Sequence, residues 1–194
     1  FKAVVSNIEE LNRKIDEQVA AAERGEGSLQ DLKRTQDQLA QAGRDLSALQ
    51  GQIDAYRRLS EQQDKNSAAA QKAAADFAAM KAELAGLETV TAAQERKLAG
   101  LEKKQRTTSA ALDKTTTDLK AQTEVLERAG IEVAQLDTAQ TQIVNSARQA
   151  GAGFVQLGTS IDAYSDNLRI ARDAERSLAA QNAFDTKIAQ ALQL

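Results

Sequence analysis

The amino-acid sequence predicts an all-α protein whose long, extended helices form a coiled coil. Composition is the first reason, because the 194 residues contain no proline, no tryptophan, two tyrosines and four phenylalanines. A globular domain of this size normally builds its core on several large aromatic residues and uses proline in its turns. Alanine, glutamate, lysine, leucine, arginine and glutamine dominate instead, which is typical of long helices and coiled coils.

A heptad pattern is the second reason. The pentapeptide LAGLE starts at Leu84 and again at Leu98, two heptads later. With Leu84 at position a, 17 of the 28 a and d positions between 77 and 171 hold a large apolar residue, against six of the other 67. This contrast predicts a long coiled coil. The 17 residues form the predicted oligomer seam: Phe77, Met80, Leu84, Leu87, Leu98, Leu101, Leu112, Leu119, Leu126, Val133, Leu136, Ile143, Phe154, Leu157, Ile161, Tyr164 and Leu168.

Seven further a and d positions carry polar residues, and these are the predicted polar seam layers: Thr91, Gln94, Gln105, Thr108, Thr115, Gln122 and Gln140. Polar layers commonly specify register or oligomer state at some cost in stability. Two interpretations stay open. Either the coil need not be very stable or has a hydrated axis, or a long rod held by other proteins is under little pressure to optimise its seam.

The first 76 residues predict two other helical segments. Residues 1–24 form an amphipathic N-terminal helix, and residues 29–76 form a coiled coil with a weak seam rich in alanine and serine. The apolar stripes are Phe1, Val4, Ile8, Leu11 and Ile15 in the first segment and Leu32, Leu39, Leu46 and Ile53 in the second. Between them, 25–28 is a glycine-containing joint in which Ser28 caps the second helix. From Ser60 to Ala75 the predicted seam is Ser60, Gln63, Ser67, Ala70 and Ala74, with a stammer at Phe77.

Glycines divide the rest of the chain. The main heptad coiled coil is predicted over 77–150, a glycine-rich soft joint over 151–158, and a C-terminal helix over 159–194. No glycine falls on the predicted seam. The segment LERAGI alone indicates a helix stop at Gly130. The heptad register passes through it unshifted, which favours a continuous helix, with a hinge as the alternative.

Catalysis and ligand binding are not expected. The chain has no histidine and no cysteine, so most nucleophile and metal sites are excluded. The segment GFVQLGTS at 153–160 lacks the lysine of a phosphate-binding loop, and Asp162 and Asp166 fit a solvated helix face. Charges of both signs are interspersed with a net −3, and no apolar run approaches the roughly 18 residues of a membrane span. We therefore expect no enzyme, no cofactor, no metal, no sequence-specific nucleic-acid partner and no membrane segment.

One segment carries a family resemblance: LKAQTEVLERAGIEVAQLDTAQTQIVNSA, residues 119–147. A leucine-rich helix, then A-G-I, then leucine and A-Q, resembles the helical part of bacteriophage tail tape measure proteins. The resemblance implies a structural protein that sets the length of the tail tube and occupies its lumen, in the virion, until the genome is ejected. It implies a parallel coiled coil of three copies, with tail tube protein and distal tail or baseplate hub proteins as partners.

Other observations bear on this resemblance. The start at Phe1 and the lack of the long hydrophobic segments of that family predict a fragment of a longer chain. Lys97 and Glu102 would pair between parallel helices, whereas Glu83 and Glu88 would repel, so orientation rests on the family. Two alternative functions remain: a coiled-coil spacer of a secretion or surface apparatus, and a compact antiparallel helical adaptor bundle that turns back at the 25–28 joint and near Gly151.

Overall fold

The computed structural model describes residues 1–24 and 26–191, with side chains through 179. The predicted all-α class is confirmed, since this part of the chain holds helices and no β-strand. The helices are α1 (Lys2–Glu23), α2 (Leu29–Ala85), α3 (Ala92–Arg128) and α4 (Leu136–Ala191), with a short 3-10 helix at Val133–Gln135. Gly25 of the predicted joint and residues 192–194 of the predicted C-terminal helix lie outside the described residues.

The helices pack in two units. The first unit holds Ser47–Thr141 together with Phe1, and the second holds Lys2–Leu46 and the chain from Gln142 onward. Helix α2 is therefore divided: its residues through Leu46 belong to the second unit, and those from Ser47 onward belong to the first unit.

In the first unit, α2 and α3 run antiparallel. Asn66 is hydrogen-bonded to Thr115, and Gln52 to Gln122, so residue numbers fall along α2 as they rise along α3. The pairing is made within one chain. The parallel coiled coil expected from the resemblance is not what this unit contains.

The second unit packs α1, the first part of α2 and α4 around one apolar core. The stripes predicted for residues 1–24 and 29–76 supply it, with Ile8, Ile15, Leu32, Leu39 and Leu46 each at most 2% exposed. A Cβ placed on Gly153 of α4 would touch both Ile15 and Leu39. The amphipathic patterns of the N-terminal segments therefore mark their buried faces correctly.

Helix α2 ends before the position that the heptad pattern predicts. Its last residue is Ala85, and α3 begins only at Ala92, so the continuous helix predicted from 77 to 150 is wrong at this point. Thr91 caps α3: its Oγ accepts from the Gln94 N–H at 3.3 Å, and the Gln94 side chain accepts from the Thr91 N–H at 2.9 Å. This reciprocal capping box satisfies donors that a new helix start would leave unpaired.

A second interruption follows at Gly130, where the continuous helix is wrong again. Gly130 has φ +76°, in the left-handed region that favours glycine. The Ile131 N–H donates to the Leu126 carbonyl at 2.9 Å and the Gly130 N–H to the Glu127 carbonyl at 2.8 Å. This is a Schellman motif, and the two residues that commonly make its accompanying hydrophobic contact, Leu126 and Ile131, are both buried, at 0% and 1% exposed.

The two predicted joints differ from each other. Helix α1 ends at Glu23 and α2 begins at Leu29, on either side of the segment 25–28. Ser28 Oγ accepts from the Asp31 N–H at 3.4 Å, as an N-cap serine does. By contrast, α4 is helical without interruption through 151–158.

Candidate functional site

The candidate functional site is the face along which α3 packs on α2. On α3, the predicted seam is turned inward: each of its positions from Gln94 to Leu126 is buried or half-buried, and Thr115 and Leu126 are 6% and 0% exposed. The heptad pattern therefore marks the face that α3 buries. The helix that covers this face belongs to the same chain, so contact between copies stays a prediction.

The 17 apolar seam residues are distributed over both units. Five are buried: Met80, Leu84, Leu126, Ile143 and Leu157. Nine are half-buried: Phe77, Leu98, Leu101, Leu112, Leu119, Val133, Leu136, Ile161 and Tyr164. Three are exposed: Leu87 at 43%, Phe154 at 43% and Leu168 at 39%. Leu87 is exposed because it lies in the connection after α2.

Phe154 is exposed because the inward face of α4 is shifted from the prediction. The d positions Ile143, Ala150 and Leu157 are buried as expected. Their buried neighbours are Ser146 and Gly153, one residue before the predicted a positions. A Cβ on Gly153 would lie 2.6 Å from Asn12 Oδ1 and 2.8 Å from Ile15 Cδ1. Gly153, which lies outside the predicted seam, is therefore part of the inward face and permits close approach of α1.

Over 60–75 the five predicted seam positions of α2 are buried or half-buried, and further residues share their inward face. Ala70, Ala73, Met80 and Leu84 are buried, and Asn66 is half-buried beside them. Their spacing continues the heptad of Met80 and Leu84 upstream without the predicted stammer. Asn66 and Ala73 were missed because the run SAAAQKAAAD contains alanine on every face and gives the periodicity no contrast.

A polar pair lies at the centre of the α2–α3 contact. Asn66 Nδ2 donates to Thr115 Oγ1 at 2.6 Å and to the Ala111 carbonyl at 3.2 Å. Thr115 Oγ1 in turn donates to the Ala111 carbonyl at 2.7 Å. A buried polar group is tolerated when it is hydrogen-bonded. The pair therefore favours the one alignment of α2 and α3 that satisfies it.

Other polar seam residues have different roles. Gln122 Nε2 donates to the backbone carbonyl of Gln52 at 3.0 Å and to its side-chain oxygen at 3.2 Å. Thr108 Oγ1 donates to the Lys104 carbonyl of its own helix at 3.0 Å. The half-buried residues Gln105 and Gln140 complete the set that faces inward. Thr91 and Gln94 form the capping box, so they begin a helix and are not a layer within one.

No charged residue of α2 or α3 is buried, although Asp54, Arg57, Asp76 and Glu102 are half-buried. Arg57 of α2 pairs with Asp137 of α4 inside the first unit, while the other ion pairs join residues of one helix or one connection. On α1, a hydrogen bond from Lys14 and its positive charge lower the pKa of Glu10. Both side chains are exposed, and such surface pairs stabilise little.

The motifs that the sequence analysis considered for ligand binding are also placed by the structure. Among the described residues, no group of three or more aspartates and glutamates could hold a metal ion. Asp162 and Asp166 are exposed, and the GFVQLGTS segment lies inside α4 with no strand before it. Two shallow hollows of about 190 and 160 Å³ lie in the second unit. None of the helices, over the described residues, has the length and apolarity to cross a membrane.

Comparisons with known proteins add no relative. No protein-family model matches the chain, and neither the curated proteins nor the solved structures include a match.

Proposed function

We propose that this chain is a structural, non-enzymatic protein: the helical part of a bacteriophage tail tape measure protein. In this role it sets the length of the tail tube and occupies its lumen in the virion until genome ejection. Its partners are copies of itself, tail tube protein and the distal tail or baseplate hub proteins. The segment 119–147 resembles that family, and it combines a helix, the Gly130 joint and a second helix.

The observation that carries the proposal is the uniform inward face of α3. Its 37 residues extend over about 55 Å and repeat one heptad pattern. The inward side chains of such a helix serve helix pairing, and none is arranged for catalysis. The length of the helix is therefore the property that suits a tape measure protein.

The parallel trimer belongs to the proposal as a second state of the same helices. Outside the tail, α3 pairs with α2 of its own chain. Inside the tail tube, α3 exchanges α2 for the same face of two other copies. The polar pairs support such an exchange, because each replaces apolar burial worth about 1–3 kcal/mol with hydrogen bonds of smaller net value. The α2–α3 contact is therefore weaker than an all-leucine seam would make it.

Tail length tests the proposal. Deleting four whole heptads, residues 95–122, should shorten the tails by about 42 Å if every deleted residue contributes one helical rise. Replacing the same residues with an unrelated segment of equal length and equal heptad pattern is the matched control, and it should leave tail length unchanged. Tails of normal length from the deletion variant would refute the tape-measure function.

The compact adaptor bundle is the second candidate, and the antiparallel hydrogen bonds of the first unit favour it. The chain has no cysteine, so Asn66→Cys with Thr115→Cys can lock α2 to α3 through one disulfide. An adaptor bundle keeps its binding activity when locked. A tape measure protein assembled in vitro from the oxidised chain should give short or absent tails, with recovery after reduction. Each single cysteine variant is the control.

A further inference from the structure

The heptad frame of α2 continues in α3 across a connection that is not helical. Leu84 of α2 and Leu98 of α3 both occupy position a, and residues 86–91 lie between the two helices. A non-helical connection lets each helix take its own rotation, so a hairpin does not require a shared frame. One continuous helix does require it, because only a shared frame keeps both stripes on the same face.

The contact between α2 and α3 is built of heptad layers. Hydrogen bonds join four residue pairs of the two helices: Asn66 with Ala111, Asn66 with Thr115, Gln63 with Thr116 and Gln52 with Gln122. The two residue numbers of each pair add up to between 174 and 181, with a mean of about 178. At a total of 178, every a position of one helix faces a d position of the other, so both seams are covered along their length. The facing layers are Leu84–Gln94, Met80–Leu98, Phe77–Leu101, Ala73–Gln105 and Ala70–Thr108.

The charged residues beside the seam fit the same antiparallel layers. In an antiparallel pair the g positions of the two helices are neighbours, and so are their e positions. At the total of 178, the neighbours have opposite charges: Asp76 with Lys104, Glu83 with Lys97, and Lys81 with Glu95. These residues lie at the surface, so they select the direction of pairing more than they stabilise it.

The same layers fit a pair of copies. If residues 86–91 become helical, α2 and α3 form one helix with both stripes on one face, because they share a frame. A second copy then packs antiparallel on this helix at the same total of 178, with the two-fold axis at Thr89. Helix α2 of each copy meets α3 of the other, and every layer of the hairpin is kept. Exchange of an identical element is a low-cost route to a dimer.

The connection itself carries seam residues that the hairpin leaves unused. Leu87 occupies position d and Thr91 position a, and their numbers also add up to 178. Leu87 is 43% exposed and Val90 is 40% exposed. In the pair of copies Leu87 faces Thr91, and Val90 at position g lies beside the Val90 of the other copy. The chain has no proline, so a helix can pass through this segment.

Two features of the connection oppose the exchange. The capping box of Thr91 and Gln94 is lost when residues 86–91 become helical. Glu88 at position e then lies beside the Glu88 of the other copy, and like charges at such positions repel. Because the single chain and the pair share the α2–α3 layers, these features and the burial of Leu87 decide the balance between them.

We propose that two copies of this chain exchange α3 and the residues that follow it, and form a two-fold symmetric dimer in which α2 and α3 are one continuous helix. This inference goes beyond the proposed function and does not require it, since the exchanged pairing is antiparallel and the tape measure assembly is parallel. The dissociation constant is expected at about 1 mM, close to the effective concentration of two segments joined by a short linker.

Deletion of one heptad, residues 86–92, tests the exchange. The deletion joins Ala85 to Ala93, so the frame and the layers from Leu84–Gln94 outward are kept and no residue is left to reverse the chain. This variant should be a dimer at micromolar concentration, and sedimentation equilibrium distinguishes its mass from the 20.8 kDa of one chain. Replacing 86–91 with six glycine and serine residues is the matched control, which should stay monomeric because such a segment disfavours a helix. A monomer, a trimer or an unfolded chain from the deletion variant would overturn the proposal.

Cysteine cross-linking tests the exchange with the connection intact. Asn66→Cys and Thr115→Cys chains are mixed in urea, refolded together at about 1 mM and oxidised. The two variants should link to each other, because α2 of one copy meets α3 of the other. Thr115→Cys alone should not link, whereas a parallel assembly would bring its cysteines together. Self-linking of Thr115→Cys without the mixed product would therefore overturn the exchange and support the parallel assembly, and no link at all would also overturn the exchange.

Leu87 gives a substitution that acts on the dimer alone. Leu87→Glu should lower the yield of the mixed disulfide at least about tenfold, because two leucine side chains lose their burial in the dimer. Thr89→Glu is the matched control, since Thr89 is exposed in the connection and occupies the outward position f in the continuous helix. Equal helical circular dichroism of both variants shows that the single chain is unchanged. Equal yields from both variants would contradict the burial of Leu87 and with it the continuous helix.

Discussion

Replacing Gly130 with alanine decides whether α3 and α4 are separate helices. In the structure Gly130 has φ +76°, and its nearest neighbour to a Cβ would be the Phe1 nitrogen at 3.8 Å. An added Cβ therefore meets no steric clash, and the whole effect of the substitution on stability comes from the backbone conformation of residue 130. A Cβ in the left-handed region costs about 1–2 kcal/mol, so Gly130→Ala should lower the free energy of unfolding by that amount.

Gly151→Ala is the matched control. Gly151 lies inside α4, and no atom lies within 4 Å of a Cβ placed on it. Alanine in a helix interior is more stable than glycine by about 1 kcal/mol, so this variant should gain stability. The two substitutions add the same methyl group, and their free energies of unfolding should differ by about 2–3 kcal/mol.

Urea unfolding followed by circular dichroism at the helix band measures both variants. The midpoints should move in opposite directions with the slope unchanged. If Gly130→Ala instead gains as much stability as Gly151→Ala, then Gly130 is helical. In that case α3 continues into α4, as the heptad pattern alone indicates, and the Schellman motif is not the native state.

Three further predictions use the same unfolding assay or a titration. Gly153→Ala should lower the free energy of unfolding by about 1–2 kcal/mol, because its Cβ would lie 2.8 Å from the buried Ile15. Gly158→Ala, where a Cβ has open space, should raise the free energy of unfolding. Equal effects of the two substitutions would contradict the close approach of α1 to α4. Thr91→Ala should cost about 1 kcal/mol through loss of the cap, with Thr89→Ala in the same connection as a near-neutral control. The pKa of Glu10 is lowered by Lys14, so the pair contributes stability above the ordinary carboxyl pKa and loses it as pH falls through the lowered value. Lys14→Met should move the Glu10 pKa back upward in a titration followed by nuclear magnetic resonance, and an unchanged pKa would contradict the pairing.

The sequence predicted the buried faces better than the helix ends. Leu32, Leu39 and Ile53 were identified from spacing alone, and each is at most 2% exposed. Spacing succeeds here because large apolar residues alternate with charged ones, so only one helix face is apolar. It was less complete over 60–75 and on α4, where it missed Asn66, Ala73 and Gly153 because alanine, serine and glycine make the helix faces chemically similar. Small residues such as Gly153 are often buried because they let two helices approach each other closely. A hydrophobicity pattern does not identify such positions.

The sequence predicted only the α3 half of the candidate site. Thr115 and Gln122 were placed on the inward face by the heptads of α3. Their partners Asn66 and Gln52 belong to α2, and one sequence gives no information on which helices meet. The partner helix was therefore expected from another copy, as the family resemblance implies.

The two copies of LAGLE show why the direction of pairing depends on a short connection. At Leu84 the pentapeptide ends α2, whereas at Leu98 the same five residues lie inside α3. The first copy is followed by TVT, whose β-branched residues are weaker helix formers, and then by the capping box of Thr91. The second is followed by KKQR, all strong helix formers. The local sequence at 86–91 therefore ends one helix and starts the next, although the heptad pattern of the sequence continues through this segment. The connection lets α3 run back along α2, so that the stripes of the two helices face each other within one chain.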